Sequence, residues 1–464
     1  MVDGEQLQRL VREAGLEDDP EAQQLLKAAA ETENQHLRNQ IRKKLEQKAA
    51  KKTQQPFNEN PPQNSALNSI YLGQTHNQDK VYTLKEDELT QHILTTGQTG
   101  SGKTTLFYNV MTQLSSPFWA FDRKQDYRHL TNQMDDLLVL PWKKLKLNPL
   151  KPPPGVNPDR WVNIFSLLFS QSFGLLTGSE GFLTVATVKI YLKYNLYQEQ
   201  PDSYPTIYDL ANIIRSDEIP VGKASVGYKD RTYWRLNPIL MTVGEMFNYS
   251  EGYTIEDLMQ RNVVFEIGGL NRKFQRFIQQ ILFAYVYEYL LAQGMRDQGL
   301  QLAVFADEAK QLFSVYLEKQ TASGMPEMDD MMGKARQMGL AVVAADQEPT
   351  KLTDSLKANT KTKILLPVAD QKQFQAIAES MNLDRRQSDY AQRLDTGEAV
   401  IQAGNSEPVP VDLLNYQVKQ DVTDEKLREH QQEKWQELEY VERDIKGNYY
   451  SNSSGKNSTT LDDF

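Results

Sequence analysis

The chain has 464 residues, and its 52 Lys and Arg against 62 Asp and Glu leave a formal charge of −10 at pH 7. This length suffices for two or three domains or one large one, while the negative charge excludes a generally basic surface that coats nucleic acid and leaves room only for a local basic channel. Cysteine is absent, which excludes disulfides, thiolate nucleophiles and cysteine zinc sites.

The hydropathy of the chain bears on its compartment. The longest apolar stretches fall far short of the roughly 20 residues needed to span a bilayer. The first residues, MVDGEQLQRL, lack the charged and then apolar pattern of a secretion signal. We therefore expect a soluble, cytoplasmic protein with no membrane insertion.

Residues 1–55 are polar and helix-prone, and we interpret them as an N-terminal arm. Leu37, Ile41, Leu45 and Ala49 recur every four residues among polar and charged side chains. Such an apolar stripe packs on its own domain, frays, or contacts another subunit or partner. Residues 56–67 are interpreted as a linker, because the run QQPFNENPPQNS is rich in Pro and Asn and breaks a helix.

Residues 68–418 alternate short β-type runs with helical stretches, which is typical of an α/β fold with a mostly parallel central sheet covered by helices. Longer helical segments punctuated by Pro predict a helical insertion over about 140–260. The predicted strands are His92 to Thr96, Pro117 to Asp122, Val263 to Ile267, Leu302 to Ala306, Leu340 to Ala345, Lys363 to Pro367 and Ala399 to Gln402.

The C-terminal part of the chain is strongly charged. Residues 419–449 are predicted to form a charged helix with Trp435, Leu438 and Val441 on one side. Residues 450–464, which include SNSSGKNSTTLDDF, are predicted to be disordered because they cannot bury enough apolar surface to offset the cost of ordering.

The run GQTGSGKT at 97–104 lies between the apolar segment HILTT and the helical segment TTLFYNVMTQL. Its glycines let backbone N–H groups approach phosphate oxygens, and the helix that follows offers its positive end. This pattern predicts a P-loop in which Lys103 reaches the β and γ phosphates of ATP and the Thr104 hydroxyl binds Mg²⁺. The predicted nucleotide-binding residues are Gly97, Gln98, Thr99, Gly100, Ser101, Gly102, Lys103, Thr104 and Thr105.

The segment LAVFADEA supplies the acidic pair that a P-loop hydrolase needs at the end of a second apolar strand. Asp307 is predicted to contact the Mg²⁺ shell, and Glu308 to polarise the attacking water as general base. The alternative for such a pair is a solvated helix N-cap. Glu308 and Lys310 also form an E-x-K pattern, but a metal-dependent nuclease needs a further carboxylate and the P-loop already explains the pair.

Several motifs in order resemble the ring-forming motors that include the HerA translocases, the FtsK DNA pumps and the conjugative coupling ATPases. The resemblance covers roughly Ile70 to Leu413 and is closest to the HerA type. The motifs are IYLGQTHNQDKVYTL before the P-loop, FWAFDRKQDYRHL with Asp122, Lys124 and Asp126, VVFEIGGL at 263–270, KARQMGLAVVAADQEPTKL at 334–352 and LDTGEAVIQ at 394–402.

The resemblance implies a RecA-like fold and a homo-oligomer, expected to be a hexameric ring, that hydrolyses ATP between subunits and moves double-stranded DNA through its channel. Gln347 would read the γ phosphate, and Arg336 would enter the site of a neighbouring subunit. Arg272 and Arg276 compete for that second role. A separate nuclease or effector protein is an expected partner, with end processing or defence as the setting.

The chain departs from the resemblance in two respects. HerA proteins usually carry an N-terminal β-barrel where this chain has a polar arm, and coupling proteins usually carry membrane helices. Two other functions therefore stay open: a conjugation or secretion motor, and a nucleotide-switched assembly scaffold with slow hydrolysis. The candidate DNA contacts are Lys223, Lys229, Arg231 and Arg235 with Tyr228, Tyr233 and Trp234, then Lys143, Lys144 and Lys146, and the loop at 321–330.

Overall fold

The chain forms a mixed α/β structure built on one large sheet, seen here in a computed structural model. The structure describes residues 4–14, 16–17, 19–32, 35–53, 56–62, 68–198, 201, 203–216, 219, 226–318, 327–418, 421–443 and 449–451.

The strands are β1 Ser69–Thr75, β2 Val81–Lys85, β3 Ile93–Thr96, β4 Phe118–Asp122, β5 Leu138–Pro141, β6 Tyr249–Glu251, β7 Val263–Glu266, β8 Leu302–Asp307, β9 Leu340–Asp346, β10 Thr362–Leu365, β11 Glu398–Ala403, β12 Val409–Leu413, β13 Val441–Arg443 and β14 Tyr449–Ser451. The α-helices are α1 Gly4–Glu13, α2 Pro20–Glu31, α3 Gln35–Thr53, α4 Lys103–Met111, α5 Pro158–Phe173, α6 Thr177–Lys193, α7 Ile207–Arg215, α8 Val226–Val243, α9 Ile255–Leu258, α10 Arg272–Ala292, α11 Val315–Glu318, α12 Glu327–Ala335, α13 Asp354–Asn359, α14 Gln371–Ser380, α15 Arg385–Ala391 and α16 Asp424–Glu437.

The large sheet has the strand order β2-β1-β12-β11-β10-β3-β9-β8-β4-β7-β5 among the described residues. The strands from β10 to β5 run parallel, and those from β2 to β10 pair antiparallel. The carboxyl ends of the parallel strands therefore meet at one edge, called here the carboxyl edge. This is the edge at which doubly wound folds bind their ligands.

The parallel strands are apolar on both faces because helices cover both sides of the sheet. Every residue of β4 and of β9 is buried. Leu106 and Val110 of α4 belong to the core on one face, while Phe277 and Ile281 of α10 belong to the core on the other. Burial on both sides explains why these strands read as continuous apolar runs.

The seven strands predicted from the sequence are confirmed, with ends that shift by one or two residues. The sequence analysis did not identify β1, β2, β5 or β12. The pattern in β2, for example, alternates buried and exposed residues and contains polar side chains. Strands of this kind give a weaker signal than the buried parallel ones.

The region predicted as a helical insertion contains helices α5 to α9, with α5 packed against α6 and against α10. Its β6 pairs with β13, and β13 pairs with β14, in a small separate sheet. None of the described helices is long and apolar enough to cross a bilayer.

The prediction of one charged helix over 419–449 is wrong in its C-terminal part. Helix α16 ends at Glu437, and strand β13 follows it. Leu438 and Val441 therefore leave the helix. The strand forms because its backbone pairs with β6, beside which the rings of Tyr249 and Tyr440 meet edge to face at 5.3 Å. Most of the predicted disordered tail, residues 452–464, lies outside the described residues.

Helix α16 covers β5, the edge strand of the large sheet. Gln431 accepts from the Val139 N–H at 2.9 Å and donates to the Leu137 carbonyl oxygen at 3.0 Å. The indole of Trp435 donates to the Val139 carbonyl oxygen at 2.8 Å. These side chains satisfy backbone groups that an open edge would leave exposed for pairing with another chain.

The N-terminal arm is a bundle of three helices with its own small core. Ile41, Leu45 and Ala49 of α3 are buried against residues of α1 and α2, whereas Leu37 is 43% exposed. The predicted apolar stripe of α3 therefore packs on the other two helices of the arm. In the predicted linker, Phe57 meets the Tyr390 ring edge to face and belongs to the core beside the large sheet.

The buried imidazole of His92 makes the stability of this fold depend on pH. Its Nδ1 accepts from the Val342 N–H at 3.1 Å, and its Nε2 lies 3.1 Å from the Met332 carbonyl oxygen, which suits the neutral ring. Burial lowers the pKa of His92 to about 4 from an ordinary 6.5. Because the unfolded chain binds the proton more readily, this group's stabilising contribution is present above pH 6.5 and is lost as the pH falls towards 4.

We expect His92→Gln to remove that dependence. Between pH 7.5 and pH 5, the unfolding free energy of the wild type should fall by about 2 kcal/mol more than that of the variant. Urea unfolding at the two pH values measures the difference, and other titrating groups cancel in it. Equal falls in both proteins would mean that His92 takes up a proton in the folded state.

Candidate nucleotide site

The predicted P-loop lies at the carboxyl edge, where β3 ends and α4 begins. Gly102 is the N-cap of α4 with φ of 103°, a left-handed conformation that favours glycine. At Gly97 a Cβ atom would lie 2.3 Å from Ser101 Oγ and 2.8 Å from Leu366 Cβ. Both glycines are therefore required by the conformation of the loop.

Lys103 is buried and points back across the loop. Its Nζ donates to the carbonyl oxygens of Gly97 at 2.8 Å and Gln98 at 2.7 Å. Burial lowers the pKa of the Lys103 ammonium, and the carboxylates of Asp307 and Asp346 act in the opposite direction. The positive charge therefore lies inside the loop, where a phosphate would compete for it with two carbonyl groups.

The first turn of α4 offers backbone donors beside this ammonium. The N–H groups of Lys103, Thr104 and Thr105 precede the first intrahelical hydrogen bonds and point out of the helix end. The Ser101 hydroxyl is buried and has no hydrogen-bond partner among the described residues. The arrangement fits the phosphates of a nucleotide, with the Thr104 hydroxyl available for a metal ion.

The side chains of the loop connect it to the neighbouring strand ends. The Thr99 hydroxyl donates to Gln347 Oε1 at 3.0 Å, so Gln347, the candidate for reading the γ phosphate, lies beside the P-loop. Gln98 Oε1 accepts from the Ala369 N–H at 3.1 Å. These contacts connect the loop to β9 and to the segment after β10.

Asp307 and Glu308 end β8, two strands away from β3 in the sheet. Burial raises the pKa of Asp307, while Lys103 and Lys124 act against that rise. The Glu308 N–H donates to Asp307 Oδ1 at 3.1 Å, and Glu308 has φ of 62°, in the left-handed region that a non-glycine residue rarely occupies. The structure thus brings Asp307 into the electrostatic field of Lys103, as the motif predicts.

The sequence analysis missed Arg123, which forms an ion pair with the Glu308 carboxylate. Strand β4 pairs in parallel with β8, with Phe121 opposite Ala306, so that the residues following the two strands lie level. The arginine in FDRK was a signal for this contact once β4 and β8 were placed side by side. Arg123 holds the carboxylate predicted to act on water.

We expect Arg123→Gln to raise ATP hydrolysis measured without DNA, because Glu308 must leave this ion pair to polarise water. A partly buried pair worth about 1 kcal/mol corresponds to a rate increase of about fivefold. Steady-state ATPase assays measure it, with Arg261→Gln as the control for loss of an arginine in another ion pair. A lower rate would instead give Arg123 a part in the active arrangement.

Two further carboxylates near the carboxyl edge, Asp346 and Glu348, were not singled out from the sequence. Asp346 is buried at the end of β9 and accepts from the N–H groups of Lys310 at 2.9 Å and Glu348 at 2.8 Å. The Lys310 ammonium pairs with Glu348 Oε2 at 2.8 Å. Lys310 is thus engaged with Glu348 and Asp346, which gives no support to the E-x-K nuclease hypothesis.

The three candidate arginines for a neighbouring subunit lie in different places. Arg336 is exposed in the turn between α12 and β9, at the amino end of that strand. The P-loop lies at the other end of the strands, at the carboxyl edge. Arg272 is exposed in the first turn of α10. Arg276 is half-buried, burial lowers the pKa of its guanidinium, and its Nε has no partner among the described residues. Arg336 cannot reach the P-loop of its own chain.

The candidate DNA contacts are separated by the structure. Arg231, Trp234 and Arg235 are exposed on one side of α8, with Trp234 66% exposed. Lys146 instead lies over the Tyr440 ring at 3.6 Å and donates to the Tyr249 hydroxyl. Because Lys146 packs on the C-terminal segment, the group of Lys143, Lys144 and Lys146 is a weaker candidate for DNA contact. Lys223 and most of the loop at 321–330 lie outside the described residues.

The sequence matches no protein-family model and no curated protein. The fold is similar to that of VirB4 from Thermoanaerobacter pseudethanolicus, with a TM-score of 0.60 and 15% identity over 76% of this chain and 98% of that chain. It is similar to the plasmid coupling protein TrwB with ADP and Mg²⁺, with a TM-score of 0.56 and 15% identity over 73% of this chain and 88% of that one. The chain therefore shares the fold of VirB4 and TrwB.

A second TrwB structure, with a non-hydrolysable ATP analogue, has a TM-score of 0.55 and 16% identity over 78% of this chain and 98% of that chain. The predicted fold class, a RecA-like P-loop NTPase with a mostly parallel sheet, is therefore confirmed. The roles of individual residues stay predictions.

Proposed function

We propose that this protein is an ATP-hydrolysing ring motor of the HerA/FtsK type that translocates on double-stranded DNA. The observation that carries the proposal is the convergence of four predicted groups at the carboxyl edge: Lys103, Asp307, Glu308 and Gln347. A phosphate ligand, a metal ligand, a general base and a polar sensor are the parts that P-loop hydrolysis requires.

In this proposal the chain's own groups divide the work. Lys103 and the N–H groups of the loop bind the β and γ phosphates of ATP, and Thr104 with Asp307 holds Mg²⁺, which supplies charge neutralisation at the phosphates when bound. Glu308 takes the proton of the attacking water after it separates from Arg123. Gln347 positions the γ phosphate through its place beside Thr99.

The proposed ring is supported by the position of Arg336, which lies at the amino end of β9 and far from the P-loop of its own chain. Strand β9 has 7 residues, so the arginine lies about 20 Å from the P-loop end of the same strand. In a head-to-tail ring, the Arg336 end of one subunit can face the P-loop end of the next. A ring of six subunits is the expected assembly. Mass photometry with ATP and duplex DNA tests this: retention of DNA by a hexamer supports the proposal, and monomers under all conditions contradict it.

Duplex DNA should contact a confined basic surface, since the protein carries a charge of −10. The exposed α8 residues Arg231 and Arg235 offer that surface. Changing both to Ala should abolish stimulation of the ATPase by duplex DNA at low salt while the rate without DNA is retained. Changing Lys189 and Lys193 of α6 to Ala is the matched control. If wild-type ATPase is not stimulated by duplex DNA at low salt, DNA translocation is not its function.

A conjugation or secretion motor is the second candidate, favoured by the similarity in fold to VirB4 and TrwB. Such a motor needs a membrane-bound partner protein. DNA-stimulated hydrolysis by the isolated ring supports the first candidate, whereas hydrolysis that requires an added membrane partner supports the second. A separate nuclease remains a proposed partner of the first candidate.

A further inference from the structure

Three side chains with metal-binding atoms meet at the antiparallel end of the large sheet, away from the P-loop strand. His76 follows β1, Glu398 begins β11 and Asp412 lies in β12. One ligand atom from each lies within 4.8 Å of the other two, and His76 Nδ1 is 2.8 Å from Asp412 Oδ1. We call these residues the β-edge cluster.

The backbone of the sheet fixes the positions of the cluster. Glu398 lies directly opposite Asp412 in the pairing of β11 with β12. The His76 N–H donates to the Pro410 carbonyl oxygen at 3.2 Å, which places His76 diagonal to Asp412 on β12. Residues opposite and diagonal to one another on adjacent strands share one face of a sheet. Only side-chain rotation is needed to bring the three ligand atoms to one point.

The charges of the cluster favour a cation. Two carboxylates directly opposite each other on adjacent strands repel and destabilise the pairing. The imidazole is a borderline ligand, which suits Zn²⁺ and similar transition metals, whereas Mg²⁺ and Ca²⁺ prefer oxygen ligands alone. One imidazole, two carboxylates and water complete the four ligands of a tetrahedral Zn²⁺ site.

The surrounding residues support the ligands. Glu59 is 2% exposed and accepts from the N–H of Asn77, next to His76, at 3.1 Å. Glu398 Oε2 accepts from the Asp395 N–H at 2.8 Å, which orients that carboxylate. Asp412 is half exposed, so an ion reaches the cluster from solvent. The hydrogen bond to Glu398 is of the kind that orients metal ligands in known sites.

We propose that the β-edge cluster binds one Zn²⁺ or a similar divalent transition metal through His76 Nδ1 and the carboxylates of Glu398 and Asp412. The ion links β1, β11 and β12 and neutralises the facing carboxylates. It is separate from the Mg²⁺ of the nucleotide site in residues and in chemistry, and it requires no nucleotide.

The test uses the full-length protein stripped of metal, without nucleotide or Mg²⁺. Co²⁺ serves as the probe, since its visible absorption reports coordination by protein ligands, and Zn²⁺ is measured by competition. We expect one Co²⁺ per chain, displaced by Zn²⁺, and a higher melting temperature with Zn²⁺. His76→Ala and Asp412→Asn should each weaken binding by about tenfold or more.

Two controls make the result specific. His430→Ala removes an exposed imidazole on α16, and Asp307→Asn removes a carboxylate of the nucleotide site; both should retain the Co²⁺ signal. Circular dichroism checks that His76→Ala is folded. The absence of a Co²⁺ spectrum in the wild type, or an unchanged spectrum in folded His76→Ala and Asp412→Asn, would show that these three residues do not bind the metal and would overturn the proposal.

Discussion

Glu308→Gln should reduce the turnover of ATP by about 100-fold or more while ATP still binds, because the amide keeps the shape of the side chain but cannot accept a proton from water. Glu308 directly follows β8, and its carboxylate is held by Arg123. Steady-state hydrolysis gives the turnover, and a fluorescent ATP analogue gives the affinity.

Lys103→Ala shows how loss of nucleotide binding differs from loss of turnover alone. It removes the ammonium that donates to the loop carbonyls at 2.8 and 2.7 Å. We expect this variant to lose affinity for the nucleotide as well as turnover. The control is Glu437→Gln, which converts a carboxylate of α16 to an amide in an ion pair with Arg261. Normal turnover in Glu308→Gln would move the general base to another residue and remove the main support for the proposed hydrolysis.

The two functional charges of the site are both engaged by the chain itself. Lys103 donates to the loop carbonyls, and Glu308 pairs with Arg123. In the proposed mechanism, a phosphate must replace the carbonyl groups at Lys103, and water must replace the Arg123 guanidinium at Glu308. A neighbouring subunit or DNA could change the rate of hydrolysis by promoting either replacement.

The sequence predicted the parallel part of the sheet and the P-loop because these features depend on local pattern. A strand buried on both faces is a continuous apolar run, and the loop needs glycine at Gly102 because the backbone there is left-handed, with φ of 103°. Asp307 could be assigned because it ends such a run. In the structure Gln347 contacts Thr99 of the loop, while its predicted role and that of Lys103 stay predictions.

The features that the sequence analysis missed depend on pairing between distant segments. The contact of Arg123 with Glu308 requires that β4 lies next to β8, which alternation of strands and helices does not specify. The end of α16 at Glu437 depends on β6 pairing with β13 across about 190 residues of chain. The β-edge cluster likewise assembles only once β1, β12 and β11 are adjacent.

Arg336→Ala should lower ATP turnover by about 1,000-fold if the guanidinium stabilises transition-state charge in a neighbouring site. Its exposed position at the opposite edge of the sheet is the structural reason to expect action between subunits. Lys334→Ala is the matched control, since it removes an exposed cation of α12 that pairs with Asp330. Arg272→Ala and Arg276→Ala, measured alongside, test the competing candidates.

Mixing subunits decides whether Arg336 acts in its own site or in the next one. In equimolar mixed rings of Arg336→Ala and Glu308→Gln chains, about one quarter of the interfaces pair an intact Glu308 with an intact Arg336 from the neighbour. Those interfaces should restore activity that neither variant has alone. If Arg336 acts within its own subunit, every site in the mixture lacks one of the two groups. Mixed rings that assemble but stay inactive would therefore rule out action between subunits and leave Arg272 and Arg276 as candidates.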